Sequence, residues 1–561
     1  MTPPPSLRLV IIGGVAAGAS TAARARRLDE SVAITLLERG PDVSFANCGL
    51  PYYIGGEIGE RSALTVQTPA TLRALLNLDV RTGTEAVAID RPGKRVQIRA
   101  VATGETSWLP YDKLVLAPGA SPLRPPLPGI DDPRILTLRN LSDMDRIKAV
   151  AAVARRVAVI GAGFIGLEMA EQLIHLKKSV TLIEAQPQIL PPLDPAMTLL
   201  MADELRTHGV ELLLDDAIAG FAPAAADSGL ECQLSSGRRV TADLVVLAIG
   251  VRPDTTLARS AGLALGPRGH LQVDEYLRTS DPDIYAAGDA IETRDRITGD
   301  PVSVPLGGPA NRQGRLIAGH LFRPAATRPY PGALGTAIVR AFGVAAGLTG
   351  WTEKRLLAAG RAYRTVTVHD NHHASYYPGA KPIALKLLWD PADGRVLGAQ
   401  LTGLAGVDKR LDVLATAIVG RLTIDDLAEL DLAYAPPFGA AKDIVNLAGY
   451  VAANTRDGLV TPCDTLPADP AVQILDARPP GLVRKYPIPG DVSSINIPLA
   501  ELRARSGELD PARPVVTVCA LGKTAYFAAR ILAQRGFQVS ALTGGLRARL
   551  DPRSPAKLPT L

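Results

Sequence analysis

Residues 7–18 read LRLVIIGGVAAG, and residues 156–166 read RVAVIGAGFIG. Each stretch is an apolar run that ends in closely spaced glycines, and each is followed by a helical pattern, a second apolar run and an acidic residue, Glu38 or Glu184. This order is typical of a β–α–β unit whose glycine turn approaches a pyrophosphate at the helix N-terminus. The sequence therefore predicts an α/β protein with two doubly wound nucleotide-binding domains.

The two turns assign cofactor contacts. The second is a complete G-x-G-x-x-G, whereas the first has Val15 at the middle position and, taken alone, could be a plain strand–helix turn. Glu38 and Glu184 are expected to accept hydrogen bonds from ribose hydroxyls. Because Glu184 repels a 2′-phosphate and no arginine directly follows it, NADH is predicted, with NADPH as the alternative. The glycines predicted to contact the cofactors are Gly13, Gly14, Gly18, Gly161, Gly163 and Gly166.

Composition limits the class of protein. A chain of 561 residues, 47% hydrophobic and 21% charged, is expected to form several globular domains. The net charge of +5 is small and mostly scattered, which argues against a nucleic-acid surface. No apolar run is long enough for a membrane span, and residues 1–6 lack the pattern of a signal peptide. Four cysteines without close pairing predict a cytoplasmic protein, and no metal site is predicted.

Further strand-and-glycine segments lie between and after the two turns. Residues 114–120 and 247–253 are apolar runs that end at Gly119 and Gly250, and residues 279–290 end in Gly288-Asp289-Ala290. These five motifs, in this order, resemble the two-dinucleotide disulfide-reductase family of flavoproteins. The resemblance implies FAD in the first domain, NADH in the second, and a role for Asp289 in binding the ribityl chain of FAD.

The loop of residues 43–56, VSFANCGLPYYIGG, contains the candidate redox residue, Cys48. Two-cysteine members of the family have C-x-x-x-x-C here, but Tyr53 occupies the second position in this chain. A thiol without an internal partner can cycle only as a sulfenic acid, a persulfide or a mixed disulfide with an external thiol. The alternative is that Cys48 is a buried small hydrophobic residue, as many free cysteines are.

The amino-acid sequence of this loop resembles that of the corresponding loop in coenzyme A disulfide reductases and the related NADH-dependent persulfide reductases. The resemblance implies that Cys48 rests as a mixed disulfide with coenzyme A. Leu76 stands where the family has a basic residue, although Arg73 is near. The alternative for Arg24 and Arg27 is that they only form the solvent-exposed face of a helix and bind no ligand. The residues implied to contact coenzyme A are Ser20, Arg24, Arg27, Ser44, Asn47, Asn311 and Lys442.

Two tyrosines extend this resemblance. Tyr434 and Tyr377 match family tyrosines that reach the flavin–cysteine site of a partner subunit, and Tyr376 is a candidate shifted by one residue. A phenol can donate a proton to a leaving sulfur. The alternative is a pair of tyrosines packed at a dimer interface, and either interpretation requires a homodimer.

The C-terminal stretch contains a second candidate cysteine. Cys519 begins a strand–loop–helix segment, CALGKTA, in which backbone N–H groups can stabilise a thiolate or persulfide anion. The whole tail resembles a rhodanese domain, although Tyr486 and Lys523 stand where relatives often have His and Arg. A catalytically idle domain is the alternative. Cys232 and Cys463 are interpreted as structural.

These motifs predict the domain order. The first part of the FAD-binding domain is placed at residues 1–150, the NAD-binding domain at 151–270, the second FAD part at 271–328, an α+β dimerisation domain at 329–453, a linker at 454–470 and a rhodanese-like α/β domain at 471–561.

The resulting hypothesis is an NADH-driven flavoenzyme that reduces coenzyme A persulfide, or polysulfide, to coenzyme A and hydrosulfide through Cys48, with Cys519 carrying sulfur towards that site. The first alternative is reduction of coenzyme A disulfide by the same residues. An NADH oxidase and a flavin-based redox sensor are the remaining alternatives.

Overall fold

The computed structural model describes residues 7–224, 229–490, 492–551 and 553, so residues 1–6 and 554–561 of the predicted terminal domains lie outside the described residues. The chain begins with a β–α–β unit whose first strand is completely buried at Leu9 and Ile11. The elements up to residue 122 are β1 (Arg8–Ile12), α1 (Ala16–Leu28), β2 (Ala33–Leu37), α2 (Leu50–Gly55), α3 (Pro69–Leu76), β3 (Asp79–Arg81), β4 (Thr84–Asp90), β5 (Arg95–Ala100), β6 (Thr106–Pro110), β7 (Lys113–Leu116) and β8 (Ala120–Pro122).

The second β–α–β unit lies within the next stretch of chain. Its elements are β9 (Ile135–Leu136), α4 (Leu141–Val153), β10 (Arg156–Ile160), α5 (Phe164–His175), β11 (Ser179–Glu184), α6 (Leu199–Thr207), β12 (Glu211–Leu214), β13 (Ile218–Pro223), β14 (Leu230–Leu234), β15 (Arg239–Ala242), β16 (Leu244–Leu247) and β17 (Val251–Pro253). Five of the strands form a parallel sheet in the order β12-β11-β10-β16-β9. The carboxyl ends of β10 and β11 therefore place the glycine turn and Glu184 side by side.

The chain then returns to the first sheet. It continues through α7 (Thr256–Ser260), β18 (Leu271–Gln272), β19 (Ile284–Ala286), β20 (Ile291–Arg294), β21 (Pro301–Val302) and α8 (Gly307–Phe322). Strand β19 completes a parallel sheet in the order β19-β7-β1-β2-β3, and α8 packs along α1. Residues from distant parts of the sequence thus complete one nucleotide-binding domain.

An antiparallel sheet and its helices follow. The elements are β22 (Ala337–Ala341), β23 (Val344–Gly350), α9 (Glu353–Ala358), β24 (Arg364–Asn371), β25 (Pro382–Trp389), β26 (Val396–Gly403), α10 (Val407–Gly420), α11 (Ile424–Glu429) and α12 (Ile444–Arg456). The strands lie in the order β22-β23-β26-β25-β24. The central strand β26 is buried along its whole length, and both α10 and α6 contact it.

The elements of the C-terminal unit are β27 (Thr461–Cys463), β28 (Gln473–Asp476), α13 (Pro480–Lys485), β29 (Ile495–Asn496), α14 (Leu499–Arg505), β30 (Val515–Val518), α15 (Lys523–Ala533) and β31 (Val539–Leu542). Its five strands form a parallel sheet in the order β27-β31-β30-β28-β29. The structure differs from the interpretation of residues 454–470 as a linker. Helix α12 continues to Arg456, and β27 pairs with β31, a distant partner that a three-residue strand without periodicity does not reveal.

Candidate active site

A cavity of about 1760 Å³ lies between the two parallel sheets. Both glycine turns and both predicted ribose-binding carboxylates line it. A cavity of this size, with a nucleotide-type turn at each side, can accommodate two dinucleotides. The predicted residues among its lining are Gly13, Glu38, Asn47, Cys48, Gly119, Gly161, Gly163, Glu184, Gly250, Gly288 and Asp289.

The turn before α1 has the geometry expected of an FAD pyrophosphate site. Gly13 has φ +99°, and a Cβ on this residue would lie 2.0 Å from the Ala117 carbonyl oxygen, so a side chain is excluded. The N-terminus of α1 has no side-chain cap and no acidic residue in its first turn. Its first N–H groups are therefore available to an anion, which the helix dipole also favours.

The turn before α5 repeats this geometry. Gly161 also has φ +99°, and Gly163 begins the helix without a side-chain cap. The Glu184 carboxylate is buried and accepts hydrogen bonds from the backbone N–H groups of Ala162, at 2.8 Å, and Gln186, at 2.9 Å. The Glu38 carboxylate likewise accepts hydrogen bonds from the backbone N–H groups of Gly14, at 2.9 Å, and Gly40, at 2.8 Å. Each carboxylate is thus held in place with lone pairs left for ribose hydroxyls.

Three of the predicted glycines do not line the cavity but allow the turns to close. A Cβ on Gly18 would lie 1.8 Å from the Gly13 carbonyl oxygen, and one on Gly166 would lie 1.9 Å from that of Gly161. A Cβ on Gly14 would lie 2.9 Å from a Val43 methyl group. These residues keep the helix and its turn in contact, which orients the backbone donors.

Asp289 lies in a short 3₁₀ helix, Gly288–Ala290, at the wall of the cavity. Burial raises the pKa of Asp289, and the positive charge of Arg139 opposes this shift. The Arg139 guanidinium donates to the Pro118 carbonyl and to the Ser121 hydroxyl. Arg139 cannot be identified from the sequence, because it follows a short strand and belongs to none of the five motifs.

Cys48 is exposed to the cavity, so the alternative of a buried structural thiol does not describe it. It lies in a one-turn 3₁₀ helix, Asn47–Gly49, which leads directly into α2. Desolvation by the surrounding protein raises the pKa of Cys48, and the carboxylates of Glu168 and Asp289 add to this shift. The thiol is therefore favoured over the thiolate in the absence of a compensating partner.

Tyr53 occupies the position of a second cysteine. The ammonium group of Lys148 lies 3.5 Å from the centre of the Tyr53 ring and donates a hydrogen bond to the Tyr53 carbonyl at 2.8 Å. These contacts fix the tyrosine in the core beside α4. Neither α2 nor the loop before it contains a second cysteine, so Cys48 has no disulfide partner within this segment.

Glu168, on α5, is a cavity residue that sequence analysis missed. Burial raises its pKa to about 7, and its Oε1 accepts a hydrogen bond from the Tyr52 hydroxyl at 3.3 Å. Glu168 lies four residues after the first residue of α5, and no sequence motif marks a glutamate at this position as functional. The structure shows that this helix brings a carboxyl group from the second nucleotide-binding unit to the Cys48 loop.

The residues predicted to contact coenzyme A fall into two groups and one separate residue. Ser44 and Asn47 lie in the Cys48 loop, and Ser44 has φ +47°. Ser20, Arg24 and Arg27 lie on α1, where the Ser20 hydroxyl donates to Asn311 of α8 at 2.5 Å. Lys442 is exposed beside the N-cap of α12 and does not line the cavity of this chain.

The loop that bears Tyr376 and Tyr377 meets the loop that bears Tyr434. The contact is made by Tyr376, not by Tyr377, which was the residue matched to the family. The Tyr376 hydroxyl lies 2.9 Å from the Tyr434 hydroxyl, whereas the Tyr377 ring packs edge-on against His373. The hydrogen bond to Tyr434 raises the pKa of Tyr376. Tyr376 and Phe438 are largely exposed, at 74% and 71%. The structure thus favours the register-shifted candidate, Tyr376, as the partner of Tyr434.

Cys519 lies at the end of β30 and is buried, with 3% exposure. Its sulfur accepts hydrogen bonds from the backbone N–H groups of Gly522, at 3.1 Å, and Ala525, at 3.2 Å. Gly522 has φ +95°, which turns the loop around the sulfur before α15 begins. This arrangement can stabilise negative charge on the sulfur, as the sequence predicts. Cys232 is buried in the second nucleotide-binding unit and Cys463 is half-buried, and neither lines the cavity.

The described residues contain no group of three or more side chains suited to hold a metal ion. Within the same residues, no helix is long and apolar enough to cross a membrane.

Comparison with known proteins places these features in a family. Residues 7–307 match the model described as "Pyridine nucleotide-disulphide oxidoreductase", residues 336–444 match its dimerisation domain, and residues 462–549 match the rhodanese-like domain. The coenzyme A disulfide reductase of Staphylococcus haemolyticus is 34% identical over 449 residues, which are 79% of this chain and 99% of that protein.

Two solved structures are similar over 97% of this chain. Reduced Bacillus anthracis CoADR-RHD has 43% identity and a TM-score of 0.91, with 97% of that chain covered. The NAD-dependent persulfide reductase from A. fulgidus has 40% identity and a TM-score of 0.90, with 100% of that chain covered. These matches confirm the predicted fold class and the use of FAD and NAD(H). The chain belongs to the pyridine nucleotide-disulphide oxidoreductase family and carries a C-terminal rhodanese-like domain.

Proposed function

We propose that this protein is an FAD-dependent reductase that uses NADH to reduce coenzyme A persulfide to coenzyme A and hydrosulfide. The observation that carries this proposal is the single cysteine, Cys48, exposed in a cavity with two dinucleotide turns and with Tyr53 in place of a second cysteine. FAD would supply the two-electron exchange between NADH and sulfur. The chain's own residues bind, orient and exchange protons around that reaction.

The two nucleotide turns determine where the two cofactors would bind. The turn at Gly13 and Glu38 would hold FAD, and the turn at Gly161 and Glu184 would hold NADH. Because both turns open into one cavity, the reacting ends of the two cofactors can meet there.

The resting form of Cys48 is proposed to be a mixed disulfide with coenzyme A. Two electrons and one proton break its S–S bond and yield a Cys48 thiolate and free coenzyme A thiol. The thiolate then attacks the inner sulfur of coenzyme A persulfide, restores the mixed disulfide and expels hydrosulfide. The sum is one persulfide and one NADH converted to coenzyme A, hydrosulfide and NAD⁺.

Tyr434 and its hydrogen-bonded partner, Tyr376, are proposed to act on the Cys48 site of a second subunit. Their loops present exposed aromatic side chains, including Phe438, that a second copy of the chain would cover. A phenol with a raised pKa remains protonated and can donate to the leaving sulfur. We therefore propose a homodimer.

Cys519 is proposed to receive sulfur from a donor and pass it towards coenzyme A. Its loop holds the sulfur with two backbone N–H groups, which suits a persulfide anion. Replacing Cys519 with Ser should spare reduction of preformed coenzyme A persulfide but slow the use of polysulfide. Equal losses on both substrates would rule out the carrier role.

One assay tests the proposed function. NADH consumption by the holoenzyme is compared with coenzyme A persulfide, polysulfide, coenzyme A disulfide and oxygen as acceptors. The proposal requires the highest kcat/KM with coenzyme A persulfide and its loss in Cys48→Ser. A higher value with coenzyme A disulfide would favour the first alternative, which uses the same residues.

A location in the cytoplasm remains a prediction from the four free cysteines.

A further inference from the structure

The residues that follow β31, 543–551 and 553, form what we call the C-terminal segment. Its first part holds the Cys519 loop in place. The Leu546 N–H donates to the Cys519 carbonyl at 2.9 Å, and the Arg547 N–H donates to the Ala520 carbonyl at 3.1 Å. The position of the C-terminal segment is therefore tied to that of the loop that bears the candidate sulfur carrier.

The middle of the C-terminal segment packs against two other parts of the chain. Arg547 lines a small cavity together with Met197, which precedes α6, and Thr367 of β24. Burial lowers the pKa of Arg547, and the negative charge of Asp203, on α6, opposes this shift. A Cβ on Gly544 would lie 3.1 Å from the Thr367 Cβ, so the segment and β24 are in close contact. The rhodanese-like domain thus packs against both the second nucleotide-binding unit and the antiparallel sheet.

The end of the C-terminal segment reaches the second nucleotide-binding unit through an ion pair. The Arg553 guanidinium lies 3.2 Å from the Asp215 carboxylate and also pairs with Asp551 at 2.9 Å. Asp215 directly follows β12 and has φ +62°, a left-handed backbone conformation that residues other than glycine seldom adopt. Both Arg553 and Asp215 are about half exposed, so the pair contributes modestly to stability. We therefore expect it to influence the placement of this loop more than the overall stability.

The loop that begins at Asp215 forms part of the side of the main cavity assigned to NADH. The Asp215 N–H donates to the Gln186 carbonyl at 2.9 Å, and the Asp216 N–H donates to the Glu184 carbonyl at 3.1 Å. Asp216 and Glu184 both line the cavity. The Gln186 N–H in turn donates to the Glu184 carboxylate, which is assigned to the ribose of NADH. A short chain of hydrogen bonds therefore connects Arg553 with this carboxylate.

We propose that Arg553 is a positioning residue for the NADH site. By holding Asp215, it fixes residues 215–217 and the backbone around Glu184, so that the affinity for NADH depends on the packing of the rhodanese-like domain against the second nucleotide-binding unit. This inference goes beyond the proposed function, because it links the sulfur-carrier domain to the binding of the electron donor. It requires only that the second glycine turn binds a nicotinamide cofactor.

Calorimetry with NAD⁺ tests the inference on the full-length holoenzyme without turnover. Arg553→Gln should lower the affinity for NAD⁺ about two- to fivefold, the range that one exposed ion pair can supply. In the background Asp215→Asn, the same substitution should have no further effect, because the partner carboxylate is already absent. Arg505→Gln is the matched control, since Arg505 pairs with Glu501 and Glu508 within the rhodanese-like domain. Equal affinities of wild type and Arg553→Gln would overturn the inference.

Steady-state kinetics distinguish a positioning role from a general loss of structure. In Arg553→Gln, with coenzyme A persulfide as the acceptor, the KM for NADH should rise about two- to fivefold. The kcat and the KM for the acceptor should not change, because Cys48 and its surroundings are untouched. A lower kcat with an unchanged KM for NADH would overturn the inference.

Hydrogen exchange tests the reverse effect, since a coupling between two sites acts in both directions. Saturating NAD⁺ should slow exchange of the backbone N–H groups of residues 543–551 in wild-type holoenzyme, and should slow it less in Arg553→Gln. Unchanged rates in wild type would overturn the inference. If the wild-type enzyme reduced no persulfide, the proposed function would be wrong, while calorimetry and hydrogen exchange would still decide the role of Arg553.

Discussion

Replacement of Glu184 with Ala tests the assignment of the second nucleotide turn to NADH. In the structure this carboxylate is 8% exposed and bonds the backbone N–H groups of Ala162 and Gln186. We propose that its remaining lone pairs accept hydrogen bonds from the ribose of NADH. The substitution should therefore weaken NADH binding, because a hydrogen bond to the ribose is lost. It should also lower the free energy of unfolding, because the bonds from the backbone N–H groups are lost.

The magnitudes follow from the hydrogen bonds that the substitution removes. A hydrogen bond to a charged group contributes about 1.5–3 kcal/mol, so removing one bond to the ribose should raise the KM for NADH about 10- to 150-fold. The Ala162 N–H is buried and would no longer have an acceptor, which costs about 1–3 kcal/mol of unfolding free energy. Gln186 is exposed, so water can satisfy its N–H.

Steady-state kinetics with NADH and NADPH measure the first effect, and denaturant unfolding measures the second. Removal of the carboxylate also removes its repulsion of a 2′-phosphate, so the preference for NADH over NADPH should fall. Glu211→Gln is the control, because Glu211 lies on the neighbouring strand β12 in a surface ion pair with Arg238. A folded Glu184→Ala variant with an NADH KM within about twofold of wild type would refute the assignment.

Three further predictions concern the surroundings of the site. Asp443→Ala should lower the unfolding free energy by about 3–5 kcal/mol, because it leaves the buried Arg410 charge unpaired, whereas the exposed Asp408→Ala should have little effect. Burial raises the pKa of Glu168 to about 7, so the stability that its protonated form contributes is lost as pH rises through that value. The melting temperature should accordingly fall more between about pH 5 and about pH 7 in wild type than in Glu168→Gln, and equal slopes would contradict the burial argument. Tyr376→Phe should lower kcat about 100-fold if its phenol donates a proton, while Tyr377→Phe should not, and the reverse result would restore the original register.

The Arg410–Asp443 pair also explains how the tyrosine loops are placed. The Arg410 guanidinium donates to the His372 carbonyl at 2.7 Å, and the Ala374 N–H donates to the Gly439 carbonyl at 2.9 Å. These bonds join the loop that bears Tyr376 to the loop that follows Tyr434. Loss of either member of the ion pair should therefore disturb both loops together.

Much of the nucleotide-binding site could be predicted because its geometry is local. A strand, a glycine turn and a helix place Gly161 and Glu184 at the end of one sheet, and no distant contact is needed to anticipate this. Cys519 could be identified for the same reason, since its sulfur accepts hydrogen bonds from N–H groups three and six residues further along the chain. Cys48 could be identified from the sequence of its own loop, although Glu168 and Asp289, which raise its pKa, are distant in sequence.

The remaining features depend on contacts between distant residues. Sequence matching could not decide between Tyr376 and Tyr377, because a loop has no periodicity and its register is set here by contacts to Tyr434 and His373. Glu168 lies on α5, in the second nucleotide-binding unit. It reaches the Cys48 loop because α5 packs against α2 of the first unit.

Mass spectrometry of the intact chain tests most directly whether Cys48 reacts as a mixed disulfide with coenzyme A. Wild-type holoenzyme incubated with coenzyme A disulfide should carry one coenzyme A per chain, mapped to Cys48, and NADH should remove it. Cys519→Ser should behave in the same way, and Cys48→Ser should carry none. An adduct that persists in Cys48→Ser, or that NADH does not release from wild type, would contradict the claim.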